Sequence, residues 1–317
     1  MRSELDREGM VKTMTARSKP ILMIFTATVL ILIAGINIML APLGILEYKQ
    51  LGRYKDSVRV PILMYHHFGD EGASSLVISA EMFESQMKAL VDAGYTSVSF
   101  SDVRDYVNTG AQLPEKPILI TIDDGYTSVY ETAYPIFLKY NIKATVFIVG
   151  IFHGKTMYKD SPYLLVPPHF GDDEAREMSE SGLISIQSHS YDMHHIEQLE
   201  QEYRKGVLRM PGEPRGVYDE AFKADFDHSS AQIENATGCV PFVYSYPYGR
   251  YTNRSEALLK IMGVEATVII VPGISTIVRG APESLYKLKR LTVNGDMTPD
   301  QLLEMIRTGI SQNRYVL

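Results

Sequence analysis

From residue 60 to the end of the chain, short apolar or β-branched runs alternate with longer stretches whose apolar residues recur every three to four positions. Strand-like runs separated by amphipathic helices predict an α/β fold. The candidate strands are 60–65, 96–100, 117–122, 143–149, 184–188, 240–246, 265–271 and 287–292. Between them, segment 81–94 places Phe83, Met87, Leu90 and Val91 on one helical face, and Ser101 reads as the N-cap of the next helix. Thr298-Pro299-Asp300-Gln301 joins a capping box to a proline at the first helical position, which predicts the start of a final helix. Eight strands within 61–317 suit one (β/α) barrel, whose functional residues gather at the C-terminal ends of the strands.

The N-terminal part follows a different pattern. Residues 20–46 hold no charged side chain and include ILMIFTATVLILIAGINIML, about as long as the ~20 residues a helix needs to cross the hydrocarbon core. Five basic residues precede it, so the positive-inside tendency predicts a cytoplasmic tail at 1–19, a membrane anchor at 20–46, a linker at 47–60 and an extracytoplasmic domain at 61–317. A cleavable signal peptide is the competing reading. The apolar run is longer than the usual 7 to 15 residues, and no clean small-x-small site follows it, so the retained single-pass anchor is preferred.

Composition narrows the chemistry. With 45% hydrophobic and 22% charged residues, the chain has the means for a packed core. The formal charge of −7 divides into +4 for residues 1–59 and −11 for the remainder, and an acidic main body argues against nucleic acid as a partner. The single cysteine, Cys239, excludes an intramolecular disulfide and a thiolate-rich zinc site, so any metal must sit on histidine and carboxylate.

Four strand ends carry candidate chemistry. PILITIDDGY (117–126) ends in adjacent carboxylates, Asp123 and Asp124. Such a pair at a strand tip either forms an Asp-Gly turn or performs two tasks, one carboxylate binding a cation and its neighbour staying free as a base. ISIQSHSYDMHH (184–195) empties a second strand into His189, His194 and His195. Two imidazoles and one carboxylate leave the fourth position of a zinc ion open, a catalytic rather than a structural ligand count. Asp192, inside this motif, is expected to hold an imidazole N–H or to shape the turn. YSYPYGRY (244–251) forms a rigid aromatic, proline and glycine corner, and LMYHHFGD (63–70) closes the first strand with His66 and His67.

In that order, TIDDGY, HSYDMH and YPYG resemble the first three motifs of the NodB-type polysaccharide deacetylases, and supporting stretches such as PILMYHHF and LKRLTVNGDM extend the resemblance over nearly all of 61–317. The resemblance implies a distorted (β/α) barrel of the NodB-homology type and a metal-dependent hydrolase that removes N-acetyl groups from amino-sugar polymers. It makes Asp123 the general base and Asp124, His189 and His194 the ligands of one divalent ion, Zn²⁺ with Co²⁺ or Ni²⁺ as substitutes. It also assigns the backbone N–H of Tyr248 to the oxyanion.

The sequence departs from the family pattern at two places. Ser245 stands where the third motif usually has an arginine that orients the base, so orientation must come from elsewhere. The leucine-x-histidine motif that supplies a general acid in many members is missing, since no histidine follows His228. The Tyr65-His66 dipeptide and the five-residue step from His189 to His194 resemble instead the branch of biofilm poly-N-acetylglucosamine deacetylases, in which the first strand supplies the acid. His66 is therefore the candidate acid. Without tryptophan, sugar stacking would fall to tyrosines near the motifs, and Tyr126 and Tyr246 are the substrate-binding candidates. Poly-N-acetylglucosamine, peptidoglycan and chitin-like polymers all remain open as partners, alongside the lipid bilayer for the anchor. An O-acetyl esterase and an inactive carbohydrate-binding relative are the alternative functions.

Overall fold

The computed structural model describes residues 56–69, 75–159, 161, 163–196 and 204–310. The expected tail, the anchor and most of the linker lie outside the described residues. Among those described, no helix is long and apolar enough to cross a membrane.

Eight parallel strands carry the domain: β1 (Ile62–Tyr65), β2 (Thr96–Ser97), β3 (Pro117–Ile122), β4 (Ala144–Ile148), β5 (Ile184–Ser188), β6 (Val243–Ser245), β7 (Ala266–Pro272) and β8 (Leu288–Thr292). Each of the eight predicted runs coincides with one of them, and β7 runs one residue past its predicted end. The ring, however, is built from seven, in the order β1-β8-β7-β6-β5-β4-β3, and it closes where β3 returns to β1 with Ile62 opposite Leu119 and Tyr65 opposite Ile122. The short β2 only flanks β3, so the barrel is distorted, as the resemblance implied. An antiparallel ribbon, Ser57–Val60 with Ser275–Val278, adds to it.

Seven principal helices cover the strands: α1 (Ala80–Asp92), α2 (Phe100–Asn108), α3 (Tyr134–Tyr140), α4 (Asp172–Glu180), α5 (Arg215–Thr237), α6 (Asn253–Ile261) and α7 (Pro299–Thr308). Helix α7 starts as predicted, with Thr298 and Gln301 in a reciprocal capping box. The cap of α2 is Ser99 rather than Ser101: its Oγ accepts from Asp102 N–H, and Asp102 answers by accepting from Ser99 N–H. A glutamate- or aspartate-like partner three residues on marks the cap, and Ser101 lacks one. On α1, Phe83, Met87 and Leu90 are buried as expected, whereas Val91 lies at the margin of that face and is exposed.

The two-residue period of a strand sorts side chains into two cores. Ile118, Ile120, Ile122, Val146, Ile184 and Ile186 pack outward with α1, α3, α4 and α7. Ile62, Leu119, Phe147, Val243, Val268 and Leu288 pack together on the other side with α2. Continuing the second parity upward along each strand reaches His66, Asp123, His189, Ser245 and Arg290. One register rule thus delivers five polar side chains to one end of the barrel.

Candidate metal centre and active site

Asp124, His189 and His194 each present one ligand atom, all within 4.8 Å of one another. Asp124 Oδ1 lies 3.8 Å from His189 Nε2 and 3.6 Å from His194 Nε2. Donors bonded at about 2.0–2.2 Å to a single tetrahedral ion lie roughly 3.3–3.6 Å apart, so these three groups fit a divalent cation of zinc's size. The tautomers agree with that use. His189 Nδ1 is 2.7 Å from the Ser245 carbonyl, which can only accept, so Nδ1 carries the proton and Nε2 offers its lone pair to the site. Burial pushes the pKa of His194 down to about 4, against the pull of Asp124, and keeps that imidazole neutral as a ligand must be.

Asp123 is separate from this set. It is almost fully buried, and Arg290, with no exposed surface at all, grips it with two parallel bonds, Nη1 to Oδ1 and Nη2 to Oδ2, each 2.7 Å. Burial alone would raise this carboxyl, but the charges of Arg290 and His189 and the arginine's hydrogen bonds outweigh it and hold the group well below the usual carboxylate range. The guanidinium is itself fixed by Thr121 Oγ1, the Ile269 carbonyl and Ser245 Oγ. Asp123 Oδ2 remains 3.8 Å from His189 Nε2, adjacent to the candidate cation position.

Arg290 thus supplies the orientation that Ser245 cannot, from β8 instead of the third motif. Ser245 keeps a supporting part, with its Oγ near Asp123 and its carbonyl on His189. The sequence did hold a signal: in LKRLTV, the arginine takes the parity of Leu288, opposite to that of Lys289 and Leu291, and a guanidinium buried there requires a carboxylate partner.

Three corners shape the site, and each passes through a left-handed non-glycine residue: Asp124 at φ 76°, Ser190 at φ 74° and Tyr248 at φ 57°. Such backbone costs about 1–2 kcal/mol per residue and persists where surroundings over-determine it. After Asp124, Gly125 is obligatory, since a Cβ there would meet Ile148 Cγ2 at 2.9 Å with φ at +84°. Tyr248, turning in Pro247–Gly249, sets its ring 4.4 Å from that of His194 and donates its hydroxyl to the His195 carbonyl.

The remaining candidates divide. His66 sits among these groups: its burial lowers its pKa, and the charges of Asp124 and Asp123 act against that. His67 is not idle, since its Nδ1 is 2.9 Å from Ser128 Oγ and its ring packs against Tyr126. Tyr126 lies between the rings of His67 and His169, and the charge of Asp124 together with a hydrogen bond to it raises the phenol, which stays protonated. Tyr246 must be reassigned. It has no exposed surface and gives its hydroxyl to Glu256 at 2.8 Å, so it is a core residue and not a sugar platform. Asp192 faces Lys159 at 3.1 Å.

A cavity of about 90 Å³ opens beside Asp124 and His194, walled by Val149, Phe152, Val166 and Ile196. A larger hollow of about 430 Å³ lies at the opposite end of the strands, around Tyr95, Asn141 and Lys143, away from all the motif residues.

Comparison with known proteins agrees with this geometry. Residues 110–267 match the family model described as polysaccharide deacetylase. The Bacillus subtilis (strain 168) protein YxkH is 29% identical over 240 residues, covering 76% of this chain and 73% of that protein. The poly-beta-1,6-N-acetyl-D-glucosamine N-deacetylase of Escherichia coli (strain K12) is 24% identical over 230 residues, and the match covers 67% of this chain but only 34% of that enzyme. Among solved structures, a de-N-acetylase from Aggregatibacter actinomycetemcomitans superposes with a TM-score of 0.67 at 25% identity, covering 80% of this chain and 100% of that one. With the motif residues brought together at one end of a seven-strand parallel barrel, the chain carries a polysaccharide deacetylase domain of the NodB type.

Proposed function

We propose that the domain from residue 61 onward hydrolyses the N-acetyl groups of a β-linked N-acetylglucosamine polymer, with one divalent ion, Zn²⁺ by preference, and does so outside the membrane. The observation that carries the reading is the division of two neighbouring aspartates, Asp124 facing two histidines and Asp123 clamped by Arg290. The β-1,6-linked polymer is the first choice of substrate because relatives are named for it.

A bound ion would supply Lewis-acid polarisation of the acetamide carbonyl and acidify the attacking water. The chain's own groups supply the rest. Asp123 accepts the proton of the water as its oxygen bonds to the carbonyl carbon. The Tyr248 N–H, at its left-handed corner, donates to the oxyanion. His66 protonates the nitrogen as the C–N bond breaks, which an amine leaving group needs. Acetate and a free amine result. The cavity beside Asp124 and His194 has the apolar wall and small size that suit an acetyl methyl.

Acetate release is the test. Purified protein is expected to release acetate from β-1,6-linked N-acetylglucosamine oligomers, to lose that activity with chelator and to regain it with Zn²⁺. Release only from O-acetylated polymers, or activity indifferent to chelator, would reject the reading. The extracytoplasmic placement rests on the uncharged run at 20–46 behind five basic residues. Protease added to wall-stripped cells is expected to remove residues 61–317, and full protection of them would reject it.

A further inference from the structure

We infer that Asp225, supported by its neighbours on α5, is the residue that positions His194 for the metal centre, an inference that rests on the metal reading above. The loop from His189 to His194 must reverse the chain within five residues and bring two imidazoles to one point, 4.9 Å between ring centroids. Its backbone is satisfied almost entirely from outside itself. The two oxygens of Asp225 accept consecutive amides, Oδ2 from Tyr191 N–H at 2.9 Å and Oδ1 from Asp192 N–H at 2.7 Å. On the other side, Gly150 N–H and Ile151 N–H donate to the carbonyls of Ser190 and Tyr191. Ser190 Oγ takes Met193 N–H, and Ser188 Oγ takes Ser190 N–H.

Asp225 does not act alone on its helix. Ser229 Oγ lies 2.7 Å from Ser188 Oγ, Gln232 donates to the Gly150 carbonyl, and the His228 ring packs on that of Tyr191. These four residues recur at i, i+3, i+4 and i+7, a polar stripe in which Asp225 and Ser229 are buried, Gln232 is half-buried and His228 is exposed, on a helix that also buries Phe222, Phe226 and Ile233. Burying Asp225 and Ser229 is unfavourable for a helix that serves only to cover a barrel, and every member of the stripe ends on the ligand loop or on the segment that braces it. Asp225 is 6% exposed, so its carboxylate is not there for solubility. The fit is close: a Cβ at Gly150 would meet Tyr191 Cδ2 at 2.5 Å and Gln232 Oε1 at 2.6 Å. A carboxylate is the side chain for this task because it alone offers two acceptors and no donor to two adjacent N–H groups.

Metal-free protein titrated with Co²⁺, followed by visible absorption and by competition with Zn²⁺, tests the inference. Asp225→Ala is expected to weaken Co²⁺ binding by about 10- to 100-fold, the loss typical when the groups that orient a ligand are removed. It is also expected to alter the Co²⁺ bands and to speed amide exchange at Tyr191 and Asp192. Asp225→Asn keeps the volume and one acceptor, is expected to fall between, and serves should the alanine variant fail to fold. Asp102→Ala removes the α2 cap, far from the loop, and is expected to lower Tm without changing Co²⁺ affinity or bands. Wild-type affinity and bands in both Asp225 variants, with only Tm lowered, would overturn the inference and leave the metal reading intact. A wild-type protein that takes up no Co²⁺ or Zn²⁺ would overturn both.

Discussion

Asp123→Asn is expected to reduce acetate release by about 10²- to 10⁴-fold, the contribution that a positioned general base commonly makes. The amide cannot take the water's proton, yet it keeps the shape of the carboxylate and one acceptor for Arg290. Ion content should change little, because the three ligand atoms belong to other residues. The exchange also leaves the Arg290 guanidinium buried with no counter-charge. A lower melting temperature is therefore expected too, and turnover has to be compared well below it. Activity within a few-fold of wild type would mean that another group accepts the proton.

The second large effect is on stability. Arg290→Met is expected to destabilise the domain by about 3–5 kcal/mol, since removing one partner of a buried ion pair strands the other charge in a medium of low polarisability. For a domain of this size that corresponds to a melting temperature lower by on the order of 10 °C. The double variant Arg290→Met/Asp123→Asn should recover part of the loss, because the stranded charge is gone. Arg290→Lys keeps the charge but not the paired geometry, and should cost activity out of proportion to stability. The pH dependence has a definite sign. Asp123 is held below its usual range, so its contribution is fully present above an unfolded value of about 3.9 and is lost as pH falls below that. Between pH 5 and 8 the pair should contribute no slope. Chemical denaturation of the four proteins from pH 3 to 8, with acetate release for wild type and Arg290→Lys, measures these effects, and an Arg290→Met protein as stable as wild type at pH 7 would contradict the assignment.

Much of this site was legible because strand chemistry is local. A fully apolar run ending in TIDDGY announces a strand tip, and inward parity along that run leads to Asp123 while the left-handed turn that follows redirects Asp124. His189 and His194 were legible for the same reason. What escaped depends on pairing across the barrel. Arg290 lies 167 residues from Asp123, and only the closure of β8 on β1 and β1 on β3 brings them together. Tyr246 was misjudged because proximity to a motif in sequence says nothing about which side of a strand a ring faces. It follows Ser245 and so falls on the opposite parity, among Tyr244, Phe226 and Leu259. The cap of α2 lies two residues before the expected Ser101 because a serine caps a helix together with its partner at N3, and Asp102 is the partner of Ser99.

The separation of roles between the two neighbouring aspartates is measured most directly by zinc content together with acetate release in wild type, Asp123→Asn and Asp124→Asn. Wild type is expected to hold one equivalent of zinc and to release acetate. Asp123→Asn should keep its zinc and lose turnover, and Asp124→Asn should lose the zinc itself. A full equivalent of zinc in Asp124→Asn, or its loss from Asp123→Asn with Asp124 intact, would contradict the account.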